Sequence, residues 1–125
     1  MSRSILDEAR IHPVIREFVA GYRADIVREV QDAVAANAVV VVGMAQNPFP
    51  KKARKTLEGA GITYKYLEYG SYFSEWRRRI ALKMWTGWPT FPMIFVKGVL
   101  IGGSKDLERL IRSGELERML SAGRE

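Results

Sequence analysis

The run AVVVV at residues 38–42 constrains this chain more than any other stretch. It has no polar alternation to suit a half-exposed strand and is too short for helical repeats, so it reads as a strand buried on both faces. Such a strand calls for neighbours in a sheet and for helices covering that sheet on both sides. Gly43 and the NPFP turn end it. The following KKARKTLEG, residues 51–59, reads as a helix that buries Ala53, Leu57 and Ala60 and exposes four basic residues.

The rest of the chain supplies those elements in order. Before the strand, Ile5, Leu6, Val14, Ile15, Phe18 and Val19 recur at irregular helical spacing, and Pro13 suits a first helical turn, where its missing N–H costs nothing. His12 beside it reads as part of a helix start rather than a catalytic or metal-binding group. Residues 22–36 place Ile26, Val27, Val30, Val34 and Ala35 on one stripe, and Asn37 stops that helix. ITYKYLEY at 62–69 alternates as a second strand. Ser71 or Ser74 would cap a helix over 74–85. MIFVKGVLIGG then reads as an antiparallel hairpin turning at Lys97–Gly98, and Ser104 as the N-cap of a closing helix with Asp106 in its first turn. The sum is an α/β sandwich with a central mixed sheet and helices on both faces.

Composition narrows the chemistry sharply at one point. None of the 125 residues is cysteine, which excludes thiolate nucleophiles, disulfide exchange and clusters held by the protein's own thiolates. A chain of this length is expected to form one domain. The N-terminal stretch lacks an apolar signal core, and AVVVVGMA is far short of a membrane span, so a soluble cytoplasmic protein without membrane contact is expected. The net charge of +6 is modest. The basic clusters Lys51, Lys52, Arg54, Lys55 and Arg77, Arg78, Arg79 have no accompanying nucleic-acid motif, so they read as solvated helix faces, and nucleic acid is not expected as a partner. Trp76, Trp85 and Tyr72 read as core or interface.

Three blocks carry a resemblance: VVVVGMAQNPFPKKARK at 39–55, WPTFP at 88–92 and FVKGVLIGGSKDLERLIRSGEL at 95–116. In this order and spacing the sequence resembles glutaredoxins of the thioredoxin superfamily, and WPTFP is especially similar to the monothiol branch. The resemblance implies a thioredoxin-like sandwich with a central four-stranded mixed sheet, preceded by an N-terminal helical extension. It divides the chain into an extension at 1–21, a glutaredoxin-like domain at 22–120 and a tail at 121–125. It also places Asn47 at the position of the nucleophilic cysteine and Pro50 at that of the second cysteine or serine. An asparagine amide cannot attack a sulfur or form a mixed disulfide.

What the resemblance implies for binding is a groove. Thr90, Phe91 and Pro92 correspond to the family's substrate-positioning loop with its cis proline, and Phe49 beside Phe91 either stays exposed as a binding aromatic or folds into the core. Gly103, Ser104 and Asp106 correspond to the helix start that receives the γ-glutamyl end of glutathione. Met44 and Lys105 depart from the family, which commonly has a basic residue near the first and an acidic or small polar residue at the second. Lys51 or Lys52 would replace the missing cation, or simply be solvated.

Three functional readings remain open from the sequence. One is a redox-inactive protein binding glutathione, an extended peptide or a protein partner through the groove. Another is the family's own activity, glutathione-dependent disulfide exchange or iron–sulfur cluster carriage, for which the nucleophile is absent. The last is a structural interaction module, with a homodimer among its forms. No cofactor is certain; glutathione is the one the resemblance implies.

Overall fold

The computed structural model describes residues 3–71 and 74–121. Tyr72 and residues 122–125 of the expected tail lie outside the described residues. Helices α1 (Pro13–Gly21) and α2 (Ala24–Ala36) precede β1 (Val39–Gly43), then α3 (Pro48–Gly59), β2 (Lys65–Glu68) and α4 (Trp76–Thr86). A hairpin of β3 (Met93–Val96) and β4 (Val99–Gly102) leads to α5 (Ser104–Ser113) and α6 (Glu115–Ser121). The four strands form one mixed sheet in the order β2-β1-β3-β4. β1 runs parallel to β2 and antiparallel to β3, and β3 and β4 are antiparallel. This is the thioredoxin-like arrangement that the sequence implies.

β1 is central because it carries nothing that needs water. Val39, Val40, Val41 and Val42 are all buried, and their alternation sends them to opposite faces. Val40 and Val42 join Ile26, Val30 and Leu82 under α2 and α4, while Val39 and Val41 join Ala53, Leu57, Leu107 and Leu116 under α3, α5 and α6. Burial of each such side chain contributes roughly 1.5–3 kcal/mol. A polar residue at any of these positions would therefore cost a substantial fraction of a domain's net stability.

Several boundaries differ from the sequence reading. In α2 it is Ala33, not Ala35, that packs against the core. Ala60 is exposed as the C-cap of α3, and Pro50 takes the expected burial at the other end of that helix. Neither Ser71 nor Ser74 is the N-cap of α4; Glu75 occupies that position in a left-handed conformation, and the Ser71 amide donates to Ser74 Oγ at 3.1 Å. The hairpin does turn at Lys97–Gly98, with φ of 52° and 81° at its two central residues. Positive φ at both is the geometry that matches strand twist in a two-residue loop.

The arginines of α4 divide by position. Arg77 lies over the exposed Trp76 ring, and Arg78 pairs with Glu75 at 2.9 Å. Arg79 is buried, contrary to the solvated-face reading, and donates through one nitrogen to the carbonyls of Tyr69 at 2.9 Å and Ser74 at 2.6 Å. Trp85 joins the core and stacks on Phe95. His12 caps α1, its Nδ1 accepting from the Val14 amide at 3.1 Å. α1 itself buries none of its residues and leaves Val14, Ile15 and Phe18 exposed.

Candidate functional site

Three segments meet above the C-terminal end of β1: the start of α3, the loop before β3, and the start of α5. They enclose a groove of about 460 Å³. Asn47, Phe49, Thr90, Phe91, Pro92, Gly103, Ser104 and Asp106 all line it, so the sequence-derived candidates converge, apart from Pro50. Pro50 is buried behind the groove. A Cβ built on Gly43 would come within 2.7 Å of Pro50 Cβ, so a glycine at 43 lets the start of α3 sit close against β1.

The α3 end of the groove begins at Pro48, three residues earlier than the expected helix, because NPF is a capping sequence and not merely a turn. Asn47 is extended, and its Oδ1 accepts from the Phe49 amide at 3.0 Å. That is the N-cap geometry, with proline in the favoured first position behind it. Pro48 and Pro50 have no N–H. The first turn therefore offers a ligand almost no donors: two amides do not exist and the third is taken by Asn47. The Asn47 amide nitrogen sits 3.5 Å from the Phe91 carbonyl, at the outer limit of a hydrogen bond, and bridges toward the opposite wall.

The facing wall is the Thr90–Pro92 loop. The Phe91–Pro92 bond is cis. Phe91 is buried while Phe49 is 51% exposed, so of the two aromatics only Phe49 remains open to solvent. Trp88 packs partly buried beneath the loop, and its indole N–H is buried with no partner. Met44, where the resemblance calls for a cation, is only 6% exposed and belongs to the apolar core.

At the third segment the N-cap of α5 is Gly103 rather than Ser104. The Gly103 amide donates to Asp106 Oδ2 at 2.9 Å. Gly102 has φ of 113°, and a Cβ there would come within 2.5 Å of that same carboxylate oxygen. Only glycine at 102 permits this closure without displacing Asp106. Ser104, released from capping, is the first residue of the helix. It is 5% exposed, and its Oγ is buried without a hydrogen-bond partner. A buried hydroxyl left in that state costs about 1–3 kcal/mol.

Lys83 completes the groove from α4, with its Nζ 5.7 Å from the centre of the Phe91 ring. Sequence reasoning missed it. Nothing local sets it apart from other helical lysines, since its approach to Phe91 depends on the turn the chain takes after α4 ends at Thr86. Among the described residues no cluster of histidine, aspartate and glutamate is grouped to hold a metal ion.

Comparison with known proteins bears on this geometry. A family model for glutaredoxin matches residues 39–101. A glutaredoxin-like protein of Dictyostelium discoideum is 48% identical over 102 residues, spanning 82% of this chain and 83% of its own length. A probable monothiol glutaredoxin of Legionella pneumophila is 36% identical over 77 residues, spanning 62% of this chain and 83% of its own length. Among solved structures, a buckwheat glutaredoxin–glutathione complex superposes with a TM-score of 0.70 at 26% identity, covering 78% of this chain and 89% of that one.

Proposed function

The chain belongs to the glutaredoxin family, and from that premise we propose that it is a member without thiol chemistry, binding glutathione or an extended peptide in the groove between α3, the Thr90–Pro92 loop and α5. Ser104 is the observation that carries this reading. Its hydroxyl is buried without a partner inside the protein, and the residue lines the same groove as Phe91 and Asp106. A ligand carboxylate would supply the missing acceptor and recover the cost of leaving that group unmatched.

Reduced glutathione fits the distribution of groups. The γ-glutamyl carboxylate would meet the Ser104 hydroxyl and the first-turn amides of α5, where a helix leaves N–H groups unsatisfied and favours negative charge. Asp106, already fixed by the Gly103 amide, would face the ligand's ammonium. The Phe91 main chain would pair with the extended backbone, and Lys83 would serve the distal carboxylate. Phe49, half exposed at the rim, would cover the ligand from solvent.

The reaction centre gives this ligand nothing to react with. Position 47 carries an amide whose oxygen already serves the Phe49 N–H, so no protein sulfur can form a mixed disulfide. A [2Fe–2S] cluster does not fit the residues present either, since it calls for a thiolate where Asn47 stands. The test is a reduced-glutathione titration followed by heteronuclear amide spectra. Saturable shifts at Phe91, Gly103 and Ser104 are expected. Their absence up to millimolar ligand would end the glutathione assignment.

A further inference from the structure

A second groove adjoins the first. It lies on the β2 side of Asn47, has a volume of about 540 Å³, and shares Met44 and Asn47 with the first groove. Its walls are the 44–48 turn, one face of α3 and the β2 side chains Tyr66 and Glu68. Lys51, Arg54 and Lys55 line it together. Spacings of three and four residues put all three on one helix face.

Three cations share the groove with two carboxylates, Glu58 and Glu68, so an excess of one positive charge remains, and neither carboxylate is ion-paired to those cations. Glu58 accepts from the Tyr64 hydroxyl at 2.5 Å, and Glu68 accepts from the Tyr66 hydroxyl at 3.0 Å. Among the described residues the ion pairs of α3 stop at Lys52 with Glu108, and none includes Lys51, Arg54 or Lys55. Arg54 is preorganised. Its guanidinium lies 4.2 Å above the Tyr66 ring, and its Nε points to the Tyr64 hydroxyl at 3.5 Å. Contact with the ring and with the Tyr64 hydroxyl holds the guanidinium beside β2 and leaves its terminal N–H groups to address a carboxylate. Gln46 at the mouth holds φ of 66°, uncommon for a residue other than glycine, and this bends the turn around the groove.

We propose that this second groove receives an acidic side chain of an extended polypeptide whose backbone lies across the Thr90–Pro92 loop, so that the ligand of the whole site is an acidic peptide segment of a partner protein. The inference rests on the groove reading above and specifies the partner. The shared wall at Met44 and Asn47 makes the two grooves one continuous surface. Residues two apart on an extended strand face the same way, so a carboxylate beside the docked segment reaches Arg54 while the backbone stays on Phe91. Reduced glutathione occupies the first groove alone.

The experiment uses a short fluorescein-labelled peptide carrying paired glutamates and the same peptide with glutamines, measured by anisotropy at low and high salt, with amide spectra to locate each. The glutamate peptide is expected to bind about tenfold tighter than its glutamine counterpart, with a preference that fades as salt rises. Shifts should then appear at Phe91 and at Tyr66 together. Arg54→Gln and Lys55→Glu should each reduce the preference several-fold while leaving glutathione shifts at Ser104 intact. Two variants on different residues guard against a folding defect in either. Equal affinity for both peptides, or a preference that survives in both variants, would overturn the proposal. Glutamate-dependent shifts at Tyr66 without any at Phe91 would overturn the single continuous ligand, and a failed glutathione titration with peptide binding intact would remove glutathione while leaving the acidic-peptide site standing.

Discussion

Two helix starts face each other across the groove, and they have been built in opposite ways. The start of α3 is closed. Pro48 and Pro50 lack amides, and Asn47 accepts from the amide that remains. The start of α5 is open: its cap is a glycine, its first side chain is a buried serine with an unmatched hydroxyl, and its aspartate is turned back to hold the Gly103 amide. Both ends carry the positive pole of a helix dipole. The difference lies in whether hydrogen-bond donors are free to use that pole. A helix terminus binds an anion only when its donors are left unsatisfied, and this chain has satisfied one terminus and spared the other.

Restoring the lost nucleophile is the strongest way to break that contrast. Asn47→Cys alone should give a thiolate that can accept from the Phe49 amide but from none at residue 50. Asn47→Cys with Pro50→Ser supplies that donor at the third helical position, which an N-cap acceptor can reach. Thiolate absorbance against pH should show the double variant titrating about one unit lower, with glutathione-linked exchange at neutral pH faster by about threefold, since the gain in thiolate is partly offset by its lower nucleophilicity. An equal thiol pKa in the two variants would show that the prolines are not what closes this terminus.

At the open terminus, Gly102→Ala should cost about 1–3 kcal/mol, since φ of 113° strains any side chain and the added Cβ meets Asp106. Chemical denaturation reads the loss, and the glutathione shifts at Gly103 and Ser104 should vanish with it. Full-strength shifts in a destabilised protein would separate the fold from the binding geometry.

A smaller pair of effects sharpens the comparison further. Asn47→Ala removes a satisfied cap and should cost about 1 kcal/mol. Ser104→Ala removes a hydroxyl that has no partner, so stability should hold or rise slightly. Ligand affinity should respond in reverse: barely changed by the first substitution and weakened about fivefold by the second. If Ser104→Ala destabilised as much as Asn47→Ala, the serine would be structural and the open terminus misassigned.

How far these contrasts were legible in the sequence depends on their range. The buried valine strand, the hairpin turn at Lys97–Gly98, the cis Phe91–Pro92 bond and the meeting of Phe91 with Ser104 and Asp106 followed from short blocks in order, because each rests on local chemistry or on family resemblance. The cap at Asn47 was missed although its signal was present: asparagine followed by proline suits a helix start, but two prolines in three residues were read as a turn. Arg79 was misread for a different reason. Three successive arginines look solvated, yet at 3.6 residues per turn consecutive positions cannot share a face. The carbonyls that make its burial affordable come from the loop after β2, which no periodicity in α4 reveals. Lys83 and Arg54, which lies over the Tyr66 ring, belong to the same class, since their meaning depends on partners distant in sequence.

Arg79 has a mechanical consequence. One guanidinium nitrogen bridges the chain at Tyr69, just past β2, and at Ser74, just before α4. The end of β2 is thereby yoked to the helix that carries Lys83 and feeds the Thr90–Pro92 loop. Opening that loop by swinging α4 would strip a buried cation of its acceptors, so the helix and the strand end belong to a single cooperative unit of local unfolding. If the groove binds as proposed, this link would hold one of its walls in place before a ligand arrives.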